Sequence, residues 1–139
     1  MTTAQTVRSK EVKQNLSDIF SFTVFPDDLN YAGTLFGGKL LAEMDLAAAN
    51  TGRKMLYGTD CNGLVTAHLS EVDFIAPANL GDIIRLETEI TELGRSSISI
   101  VVNVSKEDLR GEINQICKGR FVLVALKDGV ASPHGKVIE

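Results

Sequence analysis

Apolar and polar positions alternate with period two through most of this chain, and one stretch departs from that rhythm. Between Asp18 and Phe25, Phe20, Phe22 and Val24 alternate with Ser21 and Thr23, which predicts a first strand. Pro26, Asp27 and Asp28 end it and begin a loop through Asn30 to Gly33. From about Phe36 to about Tyr57 the period becomes helical. Leu40, Leu41, Met44, Ala47, Ala48 and Met55 share one side, and Lys39, Glu43, Asn50, Arg53 and Lys54 the other. Thr34 is the expected N-cap and Gly58 the expected stop. Period two then returns in four strands: about Leu64 to Ile75, Ile83 to Leu93, Ser97 to Ser105 and Gln115 to Leu126. The connections are Gly58 to Gly63, Asn79 to Asp82, Gly94 with Arg95, and a charged loop from Lys106 to Ile113.

One strand, one long helix and four consecutive strands predict an α+β fold with a mostly antiparallel sheet. Only one helix is available to cover the sheet's apolar face, so the sheet is expected to curl around it. Apolar positions left on the far side and edges predict self-association. Residues 17–128 are read as a single domain, flanked by a flexible N-terminal arm at 1–16 and a C-terminal tail at 129–139.

Composition narrows the function. A chain of 139 residues with 44% hydrophobic content has material for one real core. A formal charge of -4 provides no broad basic field, which argues against a nucleic-acid partner. No apolar run is long enough to span a bilayer, and Met1 to Asn15 is polar, so no membrane partner and a cytoplasmic location are expected. Cys61 and Cys117 are isolated and read as free thiols. With only His68 and His134 besides, no metal-ligand spacing appears.

Asp45 stands out. It sits within the small-residue, apolar run of the helix, at the margin of the stripe, beside Leu41 and Ala48 and in line with Gly38, Ala49 and Gly52. An ionised carboxylate loses much by leaving water unpaired, so Asp45 either meets solvent or a lysine, or has a chemical task. The small residues in its row would let another backbone or a ligand approach. A second signal lies at the helix start, where Gly33, Gly37 and Gly38 leave backbone N–H groups uncovered. That arrangement suits an oxyanion or phosphate, or is simply a turn whose glycines permit unusual dihedrals.

The run from Pro26 to Gly38 (Pro-Asp-Asp-Leu-Asn-Tyr-Ala-Gly-Thr-Leu-Phe-Gly-Gly), followed by Met44-Asp45, resembles the hotdog-fold acyl-CoA thioesterases, in their YciA and cytosolic acyl-CoA hydrolase branch. Val72-Asp73-Phe74-Ile75-Ala76-Pro77, Gly81-Asp82 and Gly94-Arg95-Ser96-Ser97-Ile98 resemble that family's later motifs, in order. The resemblance covers about Phe22 to Leu126. It implies a hotdog fold, a five-stranded antiparallel sheet wrapped around the central helix. It also implies dimers with active sites at the subunit interface, commonly assembled as a trimer of dimers. The implied activity is hydrolysis of acyl-CoA to a free acid and CoA, with no cofactor, since CoA is part of the substrate. On this resemblance Asp45 falls on the catalytic carboxylate and Asn30 on the site asparagine. The Gly94 to Ser97 turn falls on a region associated with the CoA nucleotide.

Spacing adds a constraint. Gly37 precedes Asp45 by eight residues, about 12 Å along a helix, too far to act on one carbonyl. A base must come within about 3 Å of its water and the oxyanion donors equally close to the carbonyl oxygen. The gap closes if Asp45 of one subunit meets the helix N-terminus of its neighbour. Asp45 is then the expected general base, or a nucleophile forming an anhydride, with Asn30 orienting water or carbonyl and the N–H groups around Gly37 and Gly38 holding the oxyanion. Arg95, with Ser96 and Ser97, is either a CoA phosphate contact or an exposed hairpin turn. His68 reads as a structural or surface histidine, and Asp27, Asp28 and Asp73 as turn or pairing residues.

Two other readings compete with this one. A hotdog dehydratase needs a histidine near the loop and helix start, and none precedes His68. A non-catalytic acyl-CoA binding or regulatory module stands as the alternative. A DNA-binding segment is missing from the sequence pattern, but a binding module would bind CoA esters without releasing thiol.

Overall fold

The computed structural model describes residues 16–138. The arm expected at 1–16 lies outside the described residues except for Leu16. The chain runs β1 (Ser17–Thr23), a short 3-10 turn (Pro26–Asp28), α1 (Gly37–Met55), β2 (Gly63–Phe74), β3 (Ile83–Leu93), β4 (Ser97–Glu107), β5 (Ile113–Lys127) and β6 (Val130–Ala131). The strands lie in the order β1-β3-β4-β5-β2, every pairing antiparallel, with β6 a two-residue addition to β5. The expected five-stranded sheet around one helix is thus present, with a short sixth strand.

The alternation produces the core directly. Ile84, Leu86 and Ile90 of β3, Ile98, Ile100, Val102 and Val104 of β4, and Phe121, Leu123 and Ala125 of β5 are buried. The helix sets Leu40, Met44, Ala47, Ala48, Thr51 and Met55 against them. Each such side chain contributes roughly 1.5–3 kcal/mol relative to exposure. One buried polar pair crosses the layer, Thr51 Oγ1 to Thr88 Oγ1 at 2.6 Å, so neither hydroxyl is left unsatisfied. Gly52 allows the close approach: a Cβ there would come within 3.1 Å of both Leu123 and Leu64 side chains.

Three boundaries differ from expectation for identifiable reasons. Thr34 does not cap the helix, because its hydroxyl is engaged by Asn30 and its backbone bridges Asn79. The chain stays extended for two further residues and the N-cap is Phe36, whose side chain makes no capping hydrogen bond. At the other end Leu56 is the C-cap, and Gly58 turns the chain at φ +82°. The charged loop contracts to a tight turn, because Asp108 Oδ1 accepts the N–H groups of Arg110 and Glu112 and lets β4 and β5 extend to meet it. Near the C-terminus, Ser132 N–H donates to Ala125 O and His134 is buried, so this stretch docks on the sheet.

The sheet's far edge, β2, is irregular. Its pairing with β5 shifts register between Thr66 and His68 and again between Ser70 and Asp73, and Glu71 sits at φ +53°. Val65, Leu69 and Phe74 on this strand are exposed.

Candidate active site

The loop before α1 is built by one asparagine. Asn30 Oδ1 accepts the N–H of Ala32 at 2.9 Å and of Thr34 at 3.1 Å, while Nδ2 donates to Thr34 Oγ1 at 3.0 Å. Asp28 Oδ2 accepts the N–H of Phe25 at 2.9 Å, and its carbonyl takes Phe36 N–H at 2.8 Å. These bonds deliver the chain to Gly37 and Gly38, whose N–H groups open an uncapped helix with partial positive charge. A cavity of about 310 Å³ adjoins this end, between Gly37, Leu40, Phe74 and Pro77. A Cβ on Gly37 would stand 3.5 Å from the Phe74 ring, so glycine leaves the backbone accessible from that side. Lys39 bridges Glu43 at 3.0 Å and Asp28 at 3.6 Å, and the Glu43 hydrogen bond holds its ammonium above the usual lysine range.

Asp45 lies two turns further on and is half-buried. Its Oδ1 accepts a hydrogen bond from Thr66 Oγ1 of β2 at 2.5 Å, which fixes the carboxylate across the groove between α1 and β2. No lysine or arginine pairs with Asp45 among the described residues, so of the alternatives left open by the sequence the lysine partner is not found. The helical spacing leaves Asp45 and the Gly37–Gly38 donors at separate points on one rod, and no hydrogen bond connects Asn30 with Asp45.

Thr66 has no forewarning in the sequence. It looks like an ordinary β-branched strand residue, and only the packing of α1 on β2 reveals which helix position it faces. His68 is exposed on the same strand, and Asp73 pairs in register with Lys118. The Gly94 to Ser97 turn is closed by Gly94 N–H to Ser97 O at 3.0 Å. His134 clasps it from outside, with its N–H on Arg95 O at 3.2 Å and Nε2 3.1 Å from Ser97 O. Arg95 itself is exposed, and no hydrogen bond links this turn to Asp45 or to the start of α1. Cys61 and Cys117 are both free, as expected, and burial pushes the Cys117 thiol up. Among the described residues no cluster of His, Cys, Asp and Glu could hold a metal, and no helix is long and apolar enough to cross a membrane.

One α-helix among the described residues, covered by an antiparallel sheet, with a glycine-opened N-terminus and an acid near its middle, is the hotdog class of protein. The Thioesterase superfamily model matches residues 32–113, and the chain belongs to that family. It is similar to an uncharacterized acyl-CoA thioester hydrolase, YkhA, of Bacillus subtilis, at 34% identity over 79% of this chain and 62% of the relative. The chain therefore spans just under two thirds of that relative's length. The acyl-CoA thioester hydrolase YciA of Escherichia coli is 29% identical over 80% of each chain. Among solved structures, an apo-hexameric acyl-CoA thioesterase superposes with a TM-score of 0.77 at 35% identity, covering 84% of this chain and 74% of that one.

Proposed function

We propose that the protein hydrolyses acyl-CoA thioesters to a free carboxylic acid and CoA, with Asp45 as the general base. The observation that carries this reading is the Asp45 carboxylate held by Thr66 in the α1–β2 groove, with no cation paired to it among the described residues. The names of the similar proteins, acyl-CoA thioester hydrolases, support the substrate class.

Thr66 occupies Oδ1 and orients the carboxylate, leaving Oδ2 to accept a proton from water. As that proton moves, the water oxygen bonds to the thioester carbon, and negative charge develops on the carbonyl oxygen. The N–H groups of Gly37 and Gly38 stabilise it, aided by the positive end of the helix dipole. Asn30 has its oxygen committed to the loop, so its contribution is the second Nδ2 hydrogen, a donor to the carbonyl or water oxygen. When the intermediate collapses the C–S bond breaks. The CoA thiolate leaves with the bonding pair and takes the proton from Asp45. One water is consumed and the carboxylate is restored.

The spacing along one rod supports a site shared between two chains. Eight helical residues, about 12 Å, separate Gly37 from Asp45, so the donors of one subunit serve the acid of another. The protein accordingly works as a homo-oligomer, at least a dimer and, by likeness to the hexameric relative, a trimer of dimers. The exposed apolar residues of the β2 edge supply a surface for such an assembly. Arg95, Ser96 and Ser97 are assigned to the CoA phosphates.

Release of free thiol from a panel of acyl-CoA esters tests the reading. Turnover by the native chain and a loss of about 10²- to 10⁴-fold in kcat for Asp45→Asn are expected. Tight binding of CoA esters with no thiol released from any of them would transfer the protein to the non-catalytic binding class. Native turnover in Asp45→Asn would remove the carboxylate from the mechanism.

A further inference from the structure

The groove that holds Asp45 does not end there. One helical turn beyond Asp45 and two strand residues before Thr66 it deepens into a cavity of about 370 Å³ between Ala49, Asn50, Arg53, Leu56, Tyr57 and Leu64. Because α1 and β2 run past one another in opposite directions here, each step down the helix is matched by a step back along the strand. The cavity is therefore the continuation of the site. It is a size suited to a small organic group.

Its walls are not uniformly apolar. Ala49 and Leu64 lie nearest Asp45, Asn50 and Arg53 come next along the helix, and Leu56 and Tyr57 stand at the far end. Asn62 also lines it, but its side chain is exchanged with Asp128 in two 2.9 Å hydrogen bonds and is not available. The neighbouring Lys54 is spoken for by Asp18. Arg53 has no ion-pair or side-chain hydrogen-bond partner among the described residues, and neither does Asn50. The carbonyls of Arg53 and Lys54 at the helix end are occupied by the N–H groups of Leu56 and Tyr57, which moderates the negative end of the dipole. Arg53 is exposed at the edge of the cavity, and the N-terminal lean general to helical side chains favours a guanidinium set back over Ala49.

We propose that this cavity is the acyl subsite, and that Arg53 selects acyl groups that carry a carboxylate at their far end: the mono-CoA thioesters of short dicarboxylic acids. The assignment rests on the thioester hydrolase reading. The methylenes lie against Ala49 and Leu64, and the terminal carboxylate takes up the fork of Arg53 with Asn50 beside it. Length is set by the distance between the two charged groups. Arg53 follows Asp45 by eight residues, about 12 Å of rise, from which the backward lean of the side chain must be subtracted, so a short acid fits and a long fatty chain does not.

The test pairs glutaryl-CoA with valeryl-CoA, which match in chain length and differ in the terminal carboxylate, and adds palmitoyl-CoA as a long neutral ester. The full chain is expected to prefer glutaryl-CoA by about tenfold or more in kcat/KM, as a charge-assisted hydrogen bond allows, with palmitoyl-CoA the poorest. Arg53→Gln should bring glutaryl-CoA down to the level of valeryl-CoA, while Arg53→Lys retains part of the preference. Ala49→Phe should penalise acyl groups increasingly with their length. Calorimetric binding of the same pair to Asp45→Asn separates selection from chemistry. A binding preference without turnover in the native chain sinks the hydrolase reading and leaves the subsite standing. Equal or better use of valeryl-CoA by the native chain, or a preference that survives Arg53→Gln, overturns the subsite and leaves the hydrolase standing.

Discussion

The hydroxyl of Thr66 lies 2.5 Å from Oδ1 of Asp45, and this contact ties the middle of α1 to the edge strand β2. A threonine at this point does two things at once. It satisfies one carboxylate oxygen, and it restricts the rotation that would swing the acid out of the groove.

Thr66→Val keeps the shape of the side chain and removes the donor. We expect kcat to fall by about ten- to a hundredfold, as for loss of a group that orients a base, while Thr66→Ser retains most of the activity. An unaltered kcat in Thr66→Val would reduce the contact to a packing detail.

Arg95→Ala should raise KM for an acyl-CoA more than for an acyl-pantetheine that lacks the nucleotide. An isolated arginine–phosphate contact at an exposed site corresponds to about a tenfold change or less. Equal effects on both esters would count against a phosphate contact at this turn.

Lys54 binds Asp18, and its hydrogen bond is the main reason the Asp18 carboxyl titrates below the ordinary aspartate range. The folded form therefore holds this proton less tightly than the unfolded chain. The stabilisation is present above the unfolded aspartate pKa and is lost as pH falls through the lower, folded value. For a pair this open to solvent the amount is about 0.3–1 kcal/mol. Thermal unfolding of Asp18→Asn against the native protein should show a difference at neutral pH that closes toward pH 3. A gap that persists into acid would assign the stabilisation to something other than charge.

Most of the fold was legible because its signals are local. Period two in β3 and β4 and helical period in α1 are properties of neighbouring residues, and β3 occupies the span its alternation predicts. Asp45 was conspicuous for the same reason, a charge among alanines. Thr66 was not, since its importance depends on which helix face meets β2. The expected Thr34 cap failed because a competitor three-dimensionally near, Asn30, took the hydroxyl. The docking of His134 on the Gly94 to Ser97 turn joins segments nearly forty residues apart, which no local pattern encodes.

The two register shifts in β2 have a consequence for life in a crowded solution. A flat, regular edge invites any passing strand to zip onto it. An edge broken at Thr66 to His68 and again at Ser70 to Asp73 presents its free groups in short, uneven lengths, so a stranger finds few bonds before the spacing fails. The irregularity that looks like a flaw in the ladder thus guards this exposed edge against indiscriminate strand pairing.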